Sequence, residues 1–80
     1  MTVAVYGREQ CVQCHYTCEH LERRGIPYEY FDIDRDSVAR ATVKNEPDHT
    51  LPLVIVTDGH MKVIDRWHGF KIDKIRGLHT

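Results

Sequence analysis

Two cysteines, Cys11 and Cys14, lie between an apolar run and a helical pattern, and this arrangement restricts the fold more than any other feature. Residues 3–6 are apolar throughout, as is typical of a strand covered on both faces. The helical pattern that follows ends at Gly25, with Pro27 just beyond it, which is a common way for a helix to stop. The sequence therefore predicts a strand, a short polar loop and a helix that begins at Cys11.

The remaining pattern predicts one domain, residues 1–80, with the element order β-α-β-α-β-β-α. The helix between the first two strands predicts that they pair in parallel, with a right-handed crossover. Asp58-Gly59 predicts a hairpin between the last two strands. We therefore expect a mixed four-stranded sheet with three helices. The predicted strands are residues 3–6, 28–33, 53–57 and 61–65, and the predicted helices are residues 11–24, 37–44 (capped by Asp36 or Ser37) and 71–78.

Composition excludes several classes of function. The 80 residues include 11 basic and 12 acidic side chains, which give a net charge of −1. Nucleic acid is therefore not an expected partner, since nucleic-acid-binding domains usually have a basic patch. The longest apolar run, residues 53–56, is far shorter than the ~20 residues of a membrane span. Without an export signal, and with an odd number of cysteines, we expect a cytoplasmic protein and not a disulfide scaffold. We also expect a monomer.

The position of the cysteines favours redox chemistry. Free N–H groups and the positive end of the helix dipole stabilise an anion at a helix start, so Cys11 is expected to react as the thiolate. Cys14 lies about one turn further on, where it can close a disulfide with Cys11 and is expected to be more buried. These positions predict that Cys11 attacks a disulfide and that Cys14 resolves the mixed disulfide. A C-x-x-C pair inside a β-α-β unit is a strong signal for this chemistry.

Three segments together resemble the NrdH-redoxins, which are glutaredoxin-like members of the thioredoxin superfamily. The resemblance runs from Val3 to Leu78, and His68 stands where the family usually has serine. It implies a thioredoxin-like fold, a redox pair at Cys11 and Cys14, no cofactor, and electron transfer from NADPH and thioredoxin reductase to class Ib ribonucleotide reductase for deoxyribonucleotide synthesis. The segments that carry it are Cys11-Val12-Gln13-Cys14, Thr50-Leu51-Pro52 and Trp67-His68-Gly69-Phe70.

The resemblance also suggests which residues meet a partner. Pro52 is either an ordinary proline at the start of a strand or, as the family implies, a cis proline beside the disulfide. Trp67 and Phe70 either form part of a docking surface or cover the core. The residues that we expect to contact a substrate or partner are Val12, Gln13, Leu51, Pro52, Trp67 and Phe70.

Other readings of the same cysteines remain as alternatives. A glutathione-dependent glutaredoxin usually carries C-P-Y-C and a Gly-Gly-x-Asp glutathione site, and both are absent from this sequence. Cys14-His15 completes a haem-attachment pattern, for which Met61 is a candidate axial ligand, but haem attachment normally requires export. A zinc site would use cysteines of one helix, which cannot surround a tetrahedral ion.

The side chains near the redox pair have simpler interpretations. Cys18 lies on the inward stripe of the predicted helix and is expected to be a buried, inert thiol. His15 and Arg8 are expected to be solvated surface groups. Glu19 and Arg23 are spaced as an i,i+4 ion pair.

Overall fold

The computed structural model describes residues 1–79 and has the predicted order of elements. Most element ends lie within two residues of the prediction. Among residues 1–79, no helix is long and apolar enough to cross a membrane. The elements in chain order are β1 (Thr2–Gly7), α1 (Val12–Arg23), β2 (Glu29–Asp32), α2 (Ser37–Lys44), β3 (Leu53–Thr57), β4 (Val63–His68) and α3 (Ile72–Arg76).

The four strands form one mixed sheet in the order β2-β1-β3-β4. β1 and β2 are parallel, and β3 and β4 are antiparallel, so both predicted pairings are confirmed. β1 also pairs antiparallel with β3, which the sequence did not predict. Because β1 is an inner strand, the loop that follows it, and hence the start of α1, lies near the centre of one end of the sheet.

Helices cover both faces of the sheet. Leu21 of α1 and Ile75 of α3 pack against Val54 and Val56 of β3 in the larger core cluster. Leu53, one residue earlier on β3, belongs to a second cluster with the buried side chains of α2. Because neighbouring strand residues point to opposite faces, β3 contributes to both clusters. The predicted four-stranded sheet with three helices is confirmed.

The helix boundaries follow local chemistry that was readable in the sequence. Gly25, with φ of 68°, closes α1: its amide donates to Glu22 O, and the Ile26 amide donates to Leu21 O. This pair of bonds is the Schellman arrangement, which satisfies two terminal carbonyls. Asp36 caps α2 by accepting from the amides of Val38 and Ala39. Both predicted signals are confirmed.

The position of β4 is where the sequence prediction was wrong. The Asp58 carboxylate accepts from the amides of both His60 and Lys62, which extends the turn beyond the two residues Asp58-Gly59. Met61 has φ of 63°, which is not a strand conformation. β4 therefore begins at Val63 and not at residue 61, and it continues to His68.

Candidate redox site

Cys11 and Cys14 lie at the start of α1, as predicted, and form a disulfide with a Cα–Cα distance of 5.2 Å. Cys11 is the N-cap residue of α1, with an extended backbone (φ −126°, ψ 106°). Its sulfur accepts a hydrogen bond from the Cys14 amide at 3.1 Å. This amide is one of the free donors of the first helical turn, so the backbone stabilises negative charge on the Cys11 sulfur.

The two sulfur-bearing residues differ in exposure. Cys11 is partly exposed, whereas Cys14 is 0% exposed. The side chain of Cys14 packs against the backbone of Gly7 at the end of β1. A β-carbon at position 7 would lie 2.6 Å from Cys14 Sγ, so only glycine leaves room for the sulfur there. An incoming thiolate can therefore approach Cys11 from solvent, while Cys14 is reached only from within the protein.

Pro52 directly precedes β3 and follows a cis peptide bond after Leu51, as the family resemblance implied. The ring of Pro52 is fully buried, and its carbonyl accepts from the Gly69 amide at 2.8 Å. Leu51 is partly exposed and packs against the cluster beneath α2. We call residues 50–52 the proline loop. The hydrogen bond from Gly69 joins this loop to the segment that links β4 and α3.

Gln13, between the two cysteines, contacts that same segment. Its side-chain oxygen accepts from the Phe70 amide at 2.8 Å. Gly69 has φ of 83°, and a β-carbon there would lie 3.0 Å from the Gln13 oxygen. The start of α1, the proline loop and residues 69–70 therefore meet in one place, and glycine at 69 is needed both for its backbone conformation and for this close approach.

Side chains with exposed surface follow one face of α1 from Val12, the residue next to Cys11. Val12 is 67% exposed, and Tyr16 lies one turn further along α1. The ring centroid of Phe70, which is partly exposed, lies 6.0 Å from that of Tyr16 and 5.1 Å from that of His20. We call Val12, Tyr16, His20 and Phe70 the apolar patch. Sequence reasoning named Val12 and Phe70 but missed Tyr16 and His20, although the i, i+4, i+8 spacing from Val12 was a usable signal.

Trp67 is not part of this patch. It lies within β4, pairs with Val54 of β3 and is only 3% exposed. Of the two alternatives for Trp67, the structure supports core cover. The expectation that the Trp67 indole contacts a partner was wrong, because the ring is almost completely buried.

A polar network supports the proline loop from the other side. Glu46, after α2, accepts from Arg66 at 2.6 Å, and its second oxygen lies 3.2 Å from His68 Nε2. His68 Nδ1 lies 3.0 Å from the carbonyl oxygen of Thr50. Asp48 accepts from the amide and hydroxyl of Thr50, and these two bonds hold the pKa of the Asp48 carboxyl below its usual value. His68 thus joins the segment before Pro52 to the end of β4.

Cys18, which the sequence predicted to be buried, is only partly buried one turn beyond Cys14. Burial raises the pKa of its thiol. Its neighbour Tyr28 donates a hydrogen bond to Glu22. An open cleft of about 410 Å³ lies over Cys18 and Tyr28. Within residues 1–79, no group of three or more histidine, cysteine or acidic side chains is placed to hold a metal ion.

Three surface predictions have simple outcomes. His15 is exposed, and its Nε2 lies 2.6 Å from the carbonyl oxygen of Glu9. Arg8 is paired with Asp34 at 3.0 Å, and both side chains are about half exposed. The pair formed by Glu19 and Arg23 is confirmed at 2.6 Å.

Comparison with known proteins agrees with this site. The model of the glutaredoxin family matches residues 3–61, which include both cysteines and the cis proline. The chain belongs to the glutaredoxin family. It is 35% identical to the glutaredoxin-like protein NrdH of Escherichia coli K12 and 34% identical to that of Salmonella typhimurium LT2, in each case over 99% of this chain and 90% of the relative.

The fold comparison gives the same result. The structure of the NrdH-redoxin from Escherichia coli, described as having a thioredoxin-like activity profile, superposes with a TM-score of 0.86. It shares 35% sequence identity, and the match covers 100% of this chain and 97% of that one. The thioredoxin-like fold, the homology to NrdH and the thiol–disulfide redox class are thereby established for this chain.

Proposed function

We propose that this chain is a dithiol–disulfide electron carrier in which Cys11 attacks and Cys14 resolves. The observation that carries the proposal is the disulfide at the start of α1, with a partly exposed first sulfur and a buried second one. The Cys11 thiolate attacks one sulfur of a target disulfide, forms a mixed disulfide and releases the other target sulfur as a thiolate. Cys14 then attacks Cys11, which forms the internal disulfide and releases the second target thiolate.

The target that we propose is the disulfide of class Ib ribonucleotide reductase, and the electron source is NADPH with thioredoxin reductase. Similarity to NrdH over 99% of the chain supports this pair of partners, as does the thioredoxin-like activity profile of the solved Escherichia coli relative. Such a carrier would act in the cytoplasm as a monomer and would need no cofactor of its own. The proposed docking surface is the apolar patch with Leu51, which flanks Cys11.

Glutathione is the less suitable electron donor because two backbone amides of the segment before α3 already donate hydrogen bonds within the protein. The Gly69 amide donates to Pro52 O, and the Phe70 amide donates to Gln13. A tripeptide with two carboxylates needs free donors, and each missing charge-assisted bond costs about 1.5–3 kcal/mol. Two such losses weaken binding by roughly a hundredfold or more. The geometry of residues 69–70 therefore favours a protein reductase.

The test is NADPH consumption by the oxidised protein with two recharging systems at equal protein concentration. We expect thioredoxin reductase to give much faster turnover than millimolar glutathione with glutathione reductase. Faster turnover through glutathione would assign the chain to the glutathione-dependent glutaredoxins instead.

A matched pair of surface variants tests the docking surface. Phe70→Ala is expected to raise the KM for the chain as a substrate of thioredoxin reductase. Met61→Ala should leave it unchanged, since Met61 is 90% exposed in the β3–β4 turn, at the opposite end of β3 from Pro52. Equal effects of the two substitutions would exclude the apolar patch as the docking surface.

A further inference from the structure

Tyr30, on β2, brings its hydroxyl to the same point of the β1 backbone as the buried sulfur. A β-carbon at position 7 would lie 2.6 Å from Cys14 Sγ and 2.7 Å from Tyr30 Oη. The separation of these two atoms therefore cannot exceed the sum of those distances. Because position 7 is glycine, no side chain lies between the hydroxyl and the sulfur.

The Tyr30 hydroxyl makes only one long hydrogen bond in the disulfide form. It donates to the carbonyl oxygen of Arg8 at 3.2 Å, which is at the long end of the range for a hydroxyl donor. A hydroxyl hydrogen rotates about its C–O bond, so the same group can redirect its hydrogen bond toward a better acceptor that comes within reach. A thiolate on Cys14 would be such an acceptor.

Cys14 needs a donor whenever the disulfide opens. When a reductant thiolate attacks Cys11, the Cys11–Cys14 bond breaks and its electron pair leaves with Cys14 as a thiolate. Cys14 is 0% exposed, so this charge forms out of contact with bulk water. A buried ion without a hydrogen-bond partner is strongly unfavourable. The same thiolate must form again before Cys14 resolves a mixed disulfide.

From this geometry we propose that the Tyr30 hydroxyl donates a hydrogen bond to the Cys14 sulfur in the open states and thereby sets the rate of resolution. This role rests on the proposed assignment of Cys14 as the resolving cysteine. The proton stays on the tyrosine, so no further reactant is required. Tyr30 acts here as a positioning residue for Cys14 and does not touch the incoming disulfide.

The surroundings of Tyr30 fit a donor that remains protonated. Burial, followed by the charges of Cys18 and Asp32, raises the pKa of the Tyr30 hydroxyl. Cys18 belongs to α1 and Asp32 to β2. The other charged or titratable side chains that line the same cleft are Glu9, His15, Glu22, Tyr28 and Arg35. Tyr30 also lines the open cleft above Cys18, so solvent reaches one side of its ring while the hydroxyl lies against the Gly7 backbone.

The test follows both steps of the thiol reaction with the aromatic disulfide 5,5′-dithiobis(2-nitrobenzoate) in stopped flow. The reduced protein carries Cys18→Ala so that only two thiols react. Attack by Cys11 releases the first thionitrobenzoate, and resolution by Cys14 releases the second. We expect Tyr30→Phe to slow the second release about tenfold at neutral pH, which corresponds to about 1.4 kcal/mol. The pH midpoint of the second release rate should rise by about one unit. The rate of the first release should change less than about twofold.

The controls separate this role from a structural one. Tyr28→Phe removes a neighbouring hydroxyl that donates to Glu22, and it should alter neither phase. An unchanged second phase in Tyr30→Phe, or equal slowing of both phases, would overturn the proposal. In the same Cys18→Ala background, Cys14→Ser should react at the rate of the first release, and Cys11→Ser should react much more slowly. The reverse order would show that the assignment of Cys14 as resolver is wrong, whatever the effect of Tyr30.

Discussion

Replacing His68 by serine, the residue usual in the NrdH-redoxins, is expected to loosen the loop that carries Pro52. His68 is largely buried and joins the Thr50 carbonyl, at 3.0 Å, to the Glu46 carboxylate, at 3.2 Å. Both partners are acceptors only, so each of these contacts depends on an N–H of the ring. Serine is too short to span the same two groups. The substitution therefore removes the only side chain that links Glu46 to Thr50 within residues 1–79.

The expected loss of stability follows from the two bonds. A net contribution of about 0.5–1.5 kcal/mol is usual for a neutral hydrogen bond, and more for one to a charged group. Two circumstances reduce the cost: Glu46 keeps its bond to Arg66 at 2.6 Å, and the Thr50 carbonyl lies in an exposed loop that water can reach. We therefore expect His68→Ser to lower the free energy of unfolding by about 1–2 kcal/mol.

Urea unfolding of the oxidised protein measures this loss. With a slope near the lower end of the range for small proteins, about 1 kcal/mol per molar urea, the midpoint should fall by about 1 M or more. His60→Ser is the matched control, because His60 is exposed in the β3–β4 turn and only its backbone amide is hydrogen-bonded in the described part of the chain. Equal midpoints for His68→Ser and His60→Ser would refute the supporting role of His68.

Three further outcomes are expected. Cys18→Ala should keep nearly full disulfide reductase turnover with a modest loss of stability, since the thiol is only partly buried; loss of turnover in a folded variant would give Cys18 a part in the reaction. Burial raises the pKa of the Cys18 thiol, so the folded state holds that proton more tightly and stability should fall as pH rises above the ordinary pKa of the thiol. Urea midpoints at about pH 8 and about pH 10 should therefore differ more in the parent protein than in Cys18→Ala, and equal differences would contradict this. Asp36→Ala removes the cap that accepts from Val38 and Ala39 and should cost about 1 kcal/mol by urea unfolding, against no change for exposed Asp73→Ala.

Local features of the fold were predictable because their causes lie within a few residues. The helix stop at Gly25, the cap at Asp36 and the parallel pairing of β1 with β2 all follow from side chains or connections that are close in sequence. The disulfide site was predictable for the same reason, since the strand, the cysteine pair and the helix are consecutive. For these features, the residues that cause the structure are the same residues that predict it in the sequence.

The parts that sequence reasoning missed depend on distant contacts. Asp58-Gly59 is a two-residue turn signal, but the Asp58 carboxylate binds two later amides and shifts the start of β4. The bond from the Phe70 amide to Gln13 spans 57 residues, and no local pattern marks it. The burial of Trp67 could not be decided either, because it depends on the register between β4 and β3.

The most direct measurement of the central claim is trapping of a mixed disulfide with oxidised class Ib ribonucleotide reductase. Two variants in a Cys18→Ala background are compared on non-reducing gels, with the linked residues identified by mass spectrometry. Because Cys11 is partly exposed and Cys14 is buried, Cys14→Ser should accumulate a covalent complex through Cys11 that dithiothreitol releases, and Cys11→Ser should form none. Equal trapping by both variants, or a complex linked through Cys14, would contradict the proposed roles.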